Sequence, residues 1–215
     1  MQRLRIKFSR GEEIKFISHL DIMRLWQRAF NRAGVPLAYS EGFNPHPRLS
    51  LAAPLALGVT SEAELMDVFL TRWFSPQAFM TAMKHQMPRG VTILQALPVG
   101  LNLPSLQALV RFAEYVVTIQ TDLPTDEITA RLDALLDKES IPWTHRRDTG
   151  LRSYDLRPLI EDIWLIECRG NTCTIGMRLR CDSSGTGRPE QVTLAAGFTE
   201  YPVSIHRTRL LIEAK

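Results

Sequence analysis

Arg3-Leu-Arg-Ile-Lys-Phe8, followed by Ser18-His-Leu-Asp-Ile-Met-Arg-Leu-Trp-Gln-Arg-Ala-Phe-Asn-Arg-Ala-Gly34, is the stretch from which the fold is read. In the first piece Leu4, Ile6 and Phe8 alternate with Arg3, Arg5 and Lys7, the two-residue period of a half-buried strand. In the second, Ser18 can accept from the unbonded N–H groups of a first helical turn. Asp21, three residues on, is the acidic partner of a capping box. The spacing predicts a helix from about His19 to Ala33, with Leu20, Met23, Trp26 or Gln27, and Phe30 as its buried stripe. Gly34 supplies the left-handed residue that ends it.

Downstream, Leu49 to Val59 and Leu65 to Thr71 read as extended segments. Ser75-Pro76 opens a helix through about Gln86, with proline at the tolerated first position. Val91 to Val99 reads as a strand, which completes a βαββαβ order, the ferredoxin-like arrangement. Leu101 to Ser105, with Pro104, reads as a linker. The pattern then begins again. A strand over Phe112 to Gln120 precedes a helix over Asp126 to Lys138, whose apolar side is Ile128, Leu132, Leu135 and Leu136. Strands near Trp164 to Arg169 and Thr172 to Cys181, a short helix from Arg188-Pro189-Glu190 and a strand over Val203 to Glu213 follow. The expected fold is therefore α+β: two tandem ferredoxin-like lobes, residues 1–100 and 106–215, the second lengthened by an insertion around 141–160.

The chain's 215 residues, 45% apolar and 23% charged, suit two lobes of about 100 residues with real cores. No run of 18 apolar residues is present, and the amino terminus has a strand pattern where a signal peptide would be continuously apolar. A cytoplasmic, bacterial-type protein is the expectation. Cys168, Cys173 and Cys181 match neither paired zinc spacing nor the cluster spacing of a radical S-adenosylmethionine enzyme. They are expected to be structural thiols, with no metal and no cofactor. The net charge of +3 is uneven: residues 1–50 hold nine basic against four acidic, and 51–144 hold six against ten. Basic charge at the two ends could converge on one positive surface that suits a polyanion.

The segment richest in chemistry is Tyr39-Ser-Glu-Gly-Phe-Asn-Pro-His-Pro-Arg48. Gly42 permits a tight turn, and Pro45 and Pro47 fix their own φ and push Asn44 and His46 into extended conformations. Such a stiff loop loses little entropy on binding. It offers Tyr39, Glu41, Phe43, Asn44, His46 and Arg48, which include stacking faces, an amide, an imidazole and a guanidinium suited to bases and phosphates. The alternative is a rigid connector whose polar groups serve neighbouring backbone.

Arg24, Arg28 and Arg32, four apart, form one helical stripe, which fits either a phosphate groove or an ordinary solvated face. His19 and Asp21 in the first turn could bind an anion or, with His46, form an acid–base or metal set. Two separated histidines signal that weakly, and capping is the simpler role. In the second lobe Arg157, Arg188, His206 and Arg207 are candidate anion binders, while Asp155 is expected to orient an arginine bidentately. No P-loop, GxGxxG, HExxH, GxSxG or zinc-ribbon spacing occurs, which argues against a motif-defined enzyme.

Phe16-Ile-Ser-His-Leu-Asp21 and Arg32-Ala-Gly-Val-Pro-Leu-Ala-Tyr-Ser-Glu-Gly-Phe-Asn-Pro-His-Pro-Arg-Leu-Ser50 closely resemble the bacterial radical SAM-associated proteins. Gly58-Val59, Ser61-Glu62-Ala63-Glu64, Asp67, Tyr154-Asp155-Leu156-Arg157-Pro158-Leu159, Arg188-Pro189-Glu190 and Ile205-His206-Arg207-Thr208 extend that resemblance along the chain. In such proteins the domain stands alone or is fused behind a radical S-adenosylmethionine enzyme, so the resemblance implies such an enzyme as partner. It transfers no catalytic residues. The expected function is accessory or substrate recognition for a radical enzyme, with RNA or another anionic partner bound. The alternatives are a histidine-dependent ribonuclease-like enzyme and a protein–protein adaptor.

Overall fold

The first strand fulfils its pattern and exceeds it. The computed structural model describes residues 1–147 and 150–213. The tip of the expected insertion (148–149) and the end of the expected second lobe (214–215) lie outside the described residues. Strand β1 (Gln2–Arg10) buries Leu4, Ile6 and Phe8, as the alternation requires. It also buries Gln2, Arg3 and Arg10, which a half-buried strand would expose. The reason is polar pairing: a carboxylate and main-chain carbonyls receive these side chains, although Arg10 Nε itself is buried with no hydrogen bond among the described residues.

Helix α1 (His19–Arg32) starts where Ser18 caps it, the serine hydroxyl accepting from Asp21 N at 3.2 Å. It ends at Gly34 with φ +65°, where Val35 N–H bonds the Phe30 carbonyl and Gly34 N–H the Asn31 carbonyl. That is the Schellman closure the glycine was read for. The buried stripe is Ile22, Trp26, Ala29 and Phe30, with Met23 partly covered. Leu20, expected inside, is exposed; the stripe that meets β1 starts two residues later, at Ile22.

Strand β2 is only Leu49–Leu51, shorter than the expected extended segment, and β3 runs Thr60–Leu70. Helix α2 (Pro76–Met83) has Ser75 as its cap and proline in its first turn, and β4 covers Val91–Val99. The strand order is β2-β3-β1-β4 with every neighbouring pair antiparallel. Phe8, Trp26, Phe30 and Phe79 stack in series between the sheet and the helices. A short helix, α3 (Leu106–Leu109), follows the expected linker, two of whose carbonyls, Leu103 and Pro104, accept from Arg3.

Strand β5 (Val110–Gln120), helix α4 (Thr125–Leu136), strands β6 (Pro142–Arg147), β7 (Gly150–Asp155), β8 (Ile160–Arg169), β9 (Thr172–Asp182) and β10 (Gly185–Thr186), helix α5 (Pro189–Ala195) and β11 (Ser204–Ile212) complete the chain. β9 lies between β8 and β5, β5 is followed by β11, and the insertion forms a separate β6–β7 hairpin. The chain divides into two compact units, Met1–Val110 with Glu213, and Arg111–Ile212. The architecture is mixed α/β, with five α-helices among the described residues.

The cysteine reading needs correction. Cys168 and Cys173 are directly opposite in the β8–β9 hairpin and form a disulfide, while Cys181 is a buried thiol. Sequence spacing of five does not reveal that a tight hairpin places two side chains face to face. No group of three or more potential metal ligands occurs among the described residues. No helix among them is long and apolar enough to cross a membrane.

Candidate nucleic-acid interface

The expected loop is closed at its base by main-chain bonds and open at its tip. Arg48 N–H bonds the Ala38 carbonyl at 2.8 Å, and Ser40 N–H bonds the His46 carbonyl at 2.8 Å. The Ser40 hydroxyl accepts from His46 N–H at 3.0 Å, and Tyr39 bridges Pro47. These contacts make a small hairpin whose tip, Glu41 to Pro45, turns at Gly42, φ +118°. Without a Cβ, glycine takes that conformation at little cost. Phe43 at the tip is wholly exposed, and Tyr39, Glu41, Asn44, His46 and Arg48 are exposed as well. The Ser40 hydroxyl serves neighbouring backbone, as a connector's would, and Arg48 Nη1 donates to the Met1 sulfur at 3.5 Å.

At the loop's base Phe69 N–H bonds the Arg48 carbonyl, and the Arg48 guanidinium lies over the Phe69 ring, 4.4 Å from its centroid. Stacking holds the planar head in place while leaving its N–H fork accessible. Across β3 and β1, Arg3 reaches the same ring at 5.5 Å. Arg3 also donates through Nε to Asp67 Oδ2 at 2.9 Å, and Arg5 donates through Nε to Asp67 Oδ1 at 2.9 Å. Asp67, buried, is thus clamped by two guanidiniums. It is the polar centre of the β1–β3 pair. The register that aligns Arg5 with Asp67 and Arg3 with Phe69 could not be seen before the strands were paired.

The first turn of α1 brings Asp21 and Arg24 together at 3.2 Å. The Ser18 hydroxyl, and then the Arg24 guanidinium, hold the Asp21 carboxyl below the usual carboxylate range against the opposing effect of desolvation. His19 is exposed beside them, and no interaction among the described residues joins it to His46, so the acid–base or metal set does not form. Of the arginine stripe, Arg24 is paired with Asp21, and Arg32 is tied to the Gln86 side chain and carbonyl at 3.1 and 2.7 Å. Arg28 and Arg32 border a groove of about 440 Å³ floored by Leu25, Met87 and Pro88.

In the second unit the expected anion binders divide between structural ties and the surface. Arg157 donates to the carbonyls of Leu136, Lys138 and Ile160 at 2.7–3.1 Å, closing the end of α4. Among the described residues, Asp155 makes no hydrogen bond to an arginine side chain. It accepts from the backbone N–H groups of Ile141 and Arg157, which, in that order, hold its carboxyl below the usual range. Arg207 is fully buried and His206 half-buried, so Arg207 offers nothing to a ligand in solvent. Arg188 stands at the N-cap of α5, half-exposed, 3.9 Å from Glu190. Tyr201 nearby has its hydroxyl pushed up first by burial and then by Glu190.

Three solved structures resemble the chain in fold. One chain of a Cbf5-Nop10-Gar1 complex matches at 15% identity and a TM-score of 0.52, covering 96% of this chain and 48% of that one. An H/ACA RNP bound to a substrate RNA containing 2'-deoxyuridine matches at 14% and 0.52, covering 96% and 47%. An archaeal box H/ACA sRNP Nop10-Cbf5 complex matches at 14% and 0.51, covering 97% and 48%. The chain thus spans about half the length of the chains it matches, and at these identities the likeness is one of fold. No curated protein matches it. Residues 3–189 match the family described as "Uncharacterized protein conserved in bacteria (DUF2344)", and the chain belongs to that family.

Proposed function

We propose that the chain is an RNA-binding accessory protein whose primary contact is the Tyr39–Arg48 loop. One observation carries this reading: a hairpin braced at its base presents an exposed Phe43, an exposed His46 and an Arg48 guanidinium pre-oriented on Phe69. Aromatic faces take unstacked bases and exposed guanidiniums take phosphates, so the loop matches single-stranded RNA better than a protein groove. The fold likeness to chains of RNA–protein complexes supports the same ligand class. The strand order 4-1-3-2 in the first unit, and the corresponding order in the second, support reading both as ferredoxin-like. The proposed partner, a radical S-adenosylmethionine enzyme, and the cytoplasmic location rest on the sequence alone.

The test is fluorescence anisotropy with a labelled single-stranded RNA across a salt series. The affinity should fall steeply with salt, and Arg48→Ala should reduce the slope by about 0.7, one phosphate's worth on a single strand. Phe43→Ala should weaken binding roughly tenfold through loss of one stacked base. Salt-insensitive binding, or none, would sink the RNA reading.

A further inference from the structure

The sheet of the second unit has one face packed on its helices and one face not. Ala113, Tyr115, Val117 and Ile119 of β5 are buried on the helix side, with Ile175, Met177 and Leu179 of β9. On the opposite face, three successive rows run across the strands. Trp164 of β8 is paired with Gly176 of β9, Arg178 with Glu114, and Arg180 with Phe112.

The Trp164 indole leans across onto the glycine opposite it in β9. A Cβ built on Gly176 would come within 2.1–2.4 Å of three indole atoms, so glycine is what lets the ring reach the backbone. Part of the indole is thereby held against the strand, while the residue keeps 38% of its surface in solvent. A core tryptophan would be covered; this one is held in place and left open.

Three arginines are solvent-accessible around it, together with an exposed carboxylate, Asp162 of β8, which stands opposite Arg178. Arg178, Arg180 and Arg209 are 39%, 34% and 67% exposed, whereas the carboxylates they meet, Glu114 and Asp182, are only 12% and 7% exposed. The acids fix the guanidiniums, and the guanidiniums face outward. Arg180 also lies 5.5 Å above the Phe112 ring. The β9 partners of Trp164 and Phe112, Gly176 and Arg180, are four residues apart, and the two aromatics lie on opposite neighbours of β9, roughly 16 Å apart along the diagonal, enough for a short run of splayed nucleotides.

We propose that this open face is a second RNA contact, on which a single-stranded base stacks on Trp164 while Arg180 and Arg209 take the adjoining phosphates. Aromatics on the helix-free face of an antiparallel sheet are a general device for unstacked bases, and Arg180 and Arg209, away from Asp162, supply charge for the phosphates. The inference rests on the RNA reading given above but on different residues.

The test uses the full chain and a labelled single-stranded RNA, with Trp164→Ala, Trp164→Tyr and Phe43→Ala compared at matched thermal stability. Trp164→Ala should weaken binding roughly tenfold, Trp164→Tyr should stay near wild type, and an RNA duplex should compete poorly. Trp164→Ala binding like wild type while Phe43→Ala is weakened would overturn the second contact and leave the loop standing. The reverse pattern would uphold this face and remove the loop, and absence of RNA binding by the wild type would remove both. Should Trp164→Ala fail to fold, ultraviolet crosslinking of the wild-type protein answers the same question. A crosslinked peptide containing Trp164 supports the contact, and its absence among mapped peptides overturns it.

Discussion

Arg3 and Arg48 touch the same ring, Phe69, and share little else. Arg3 is buried, with Nε and Nη2 on Asp67 and further bonds to the carbonyls of Leu103 and Pro104. Arg48 is exposed; beyond its ring contact the guanidinium meets, among the described residues, only the Met1 sulfur, at 3.5 Å. The same side chain is therefore a structural tie in one place and an available fork in the other. What separates them is how many donors are already committed, which residue type and spacing do not disclose. Arg157 falls with Arg3, and Arg28 with Arg48.

The most damaging way to probe the committed side is Asp67→Ala, which leaves Arg3 buried beside a missing anion. Breaking a buried pair from one side costs about 4 kcal/mol, so the urea midpoint should drop sharply. A loss below about 1 kcal/mol would mean that the Arg3–Asp67–Arg5 cluster is not the tie described here. Next in size is Arg157→Ala. Three carbonyls lose a charged donor, an effect of about 2 kcal/mol in the same assay, while RNA affinity stays at the wild-type value. Weaker RNA binding at unchanged stability would instead place Arg157 with Arg48.

Much of this division was legible in the sequence, and the remainder had a common cause. Ser18 and Gly34 announced the ends of α1 because capping is local chemistry, settled within four residues. The stiffness of Tyr39–Arg48 was equally local, set by Gly42, Pro45 and Pro47. Everything that depended on register was hidden. Arg3 and Asp67 are 64 residues apart and meet only because β1 and β3 pair as they do. The Cys168–Cys173 bridge depends on the β8–β9 hairpin, and the exposure of Trp164 on the glycine opposite. Leu20 was misplaced for a related reason: the helix's facing residues are chosen by the sheet it packs on.

A smaller effect separates capping from binding in the first turn of α1. Ser18→Ala should cost about 1 kcal/mol by removing the cap. It should also let the Asp21 carboxyl titrate nearer its ordinary 3.8. Because the folded-state value is depressed, the stabilisation from Asp21 is present in full above that ordinary value. It is lost as pH falls through the lowered one. Acid unfolding of Ser18→Ala should therefore lose part of the steepness seen below pH 4 in the wild type. Identical acid limbs would assign the Asp21 shift to something other than the cap.

The central claim, that the Tyr39–Arg48 hairpin meets RNA, is tested most directly by amide hydrogen exchange with and without a single-stranded RNA. At the tip, the Glu41 to Asn44 amides make no main-chain bonds among the described residues, whereas the Ser40, His46 and Arg48 amides are already bonded. RNA should slow exchange at Glu41 to Asn44 by an amount that shrinks with added salt. Slowing confined to other parts of the chain, with the tip exchanging as fast as before, would contradict the account.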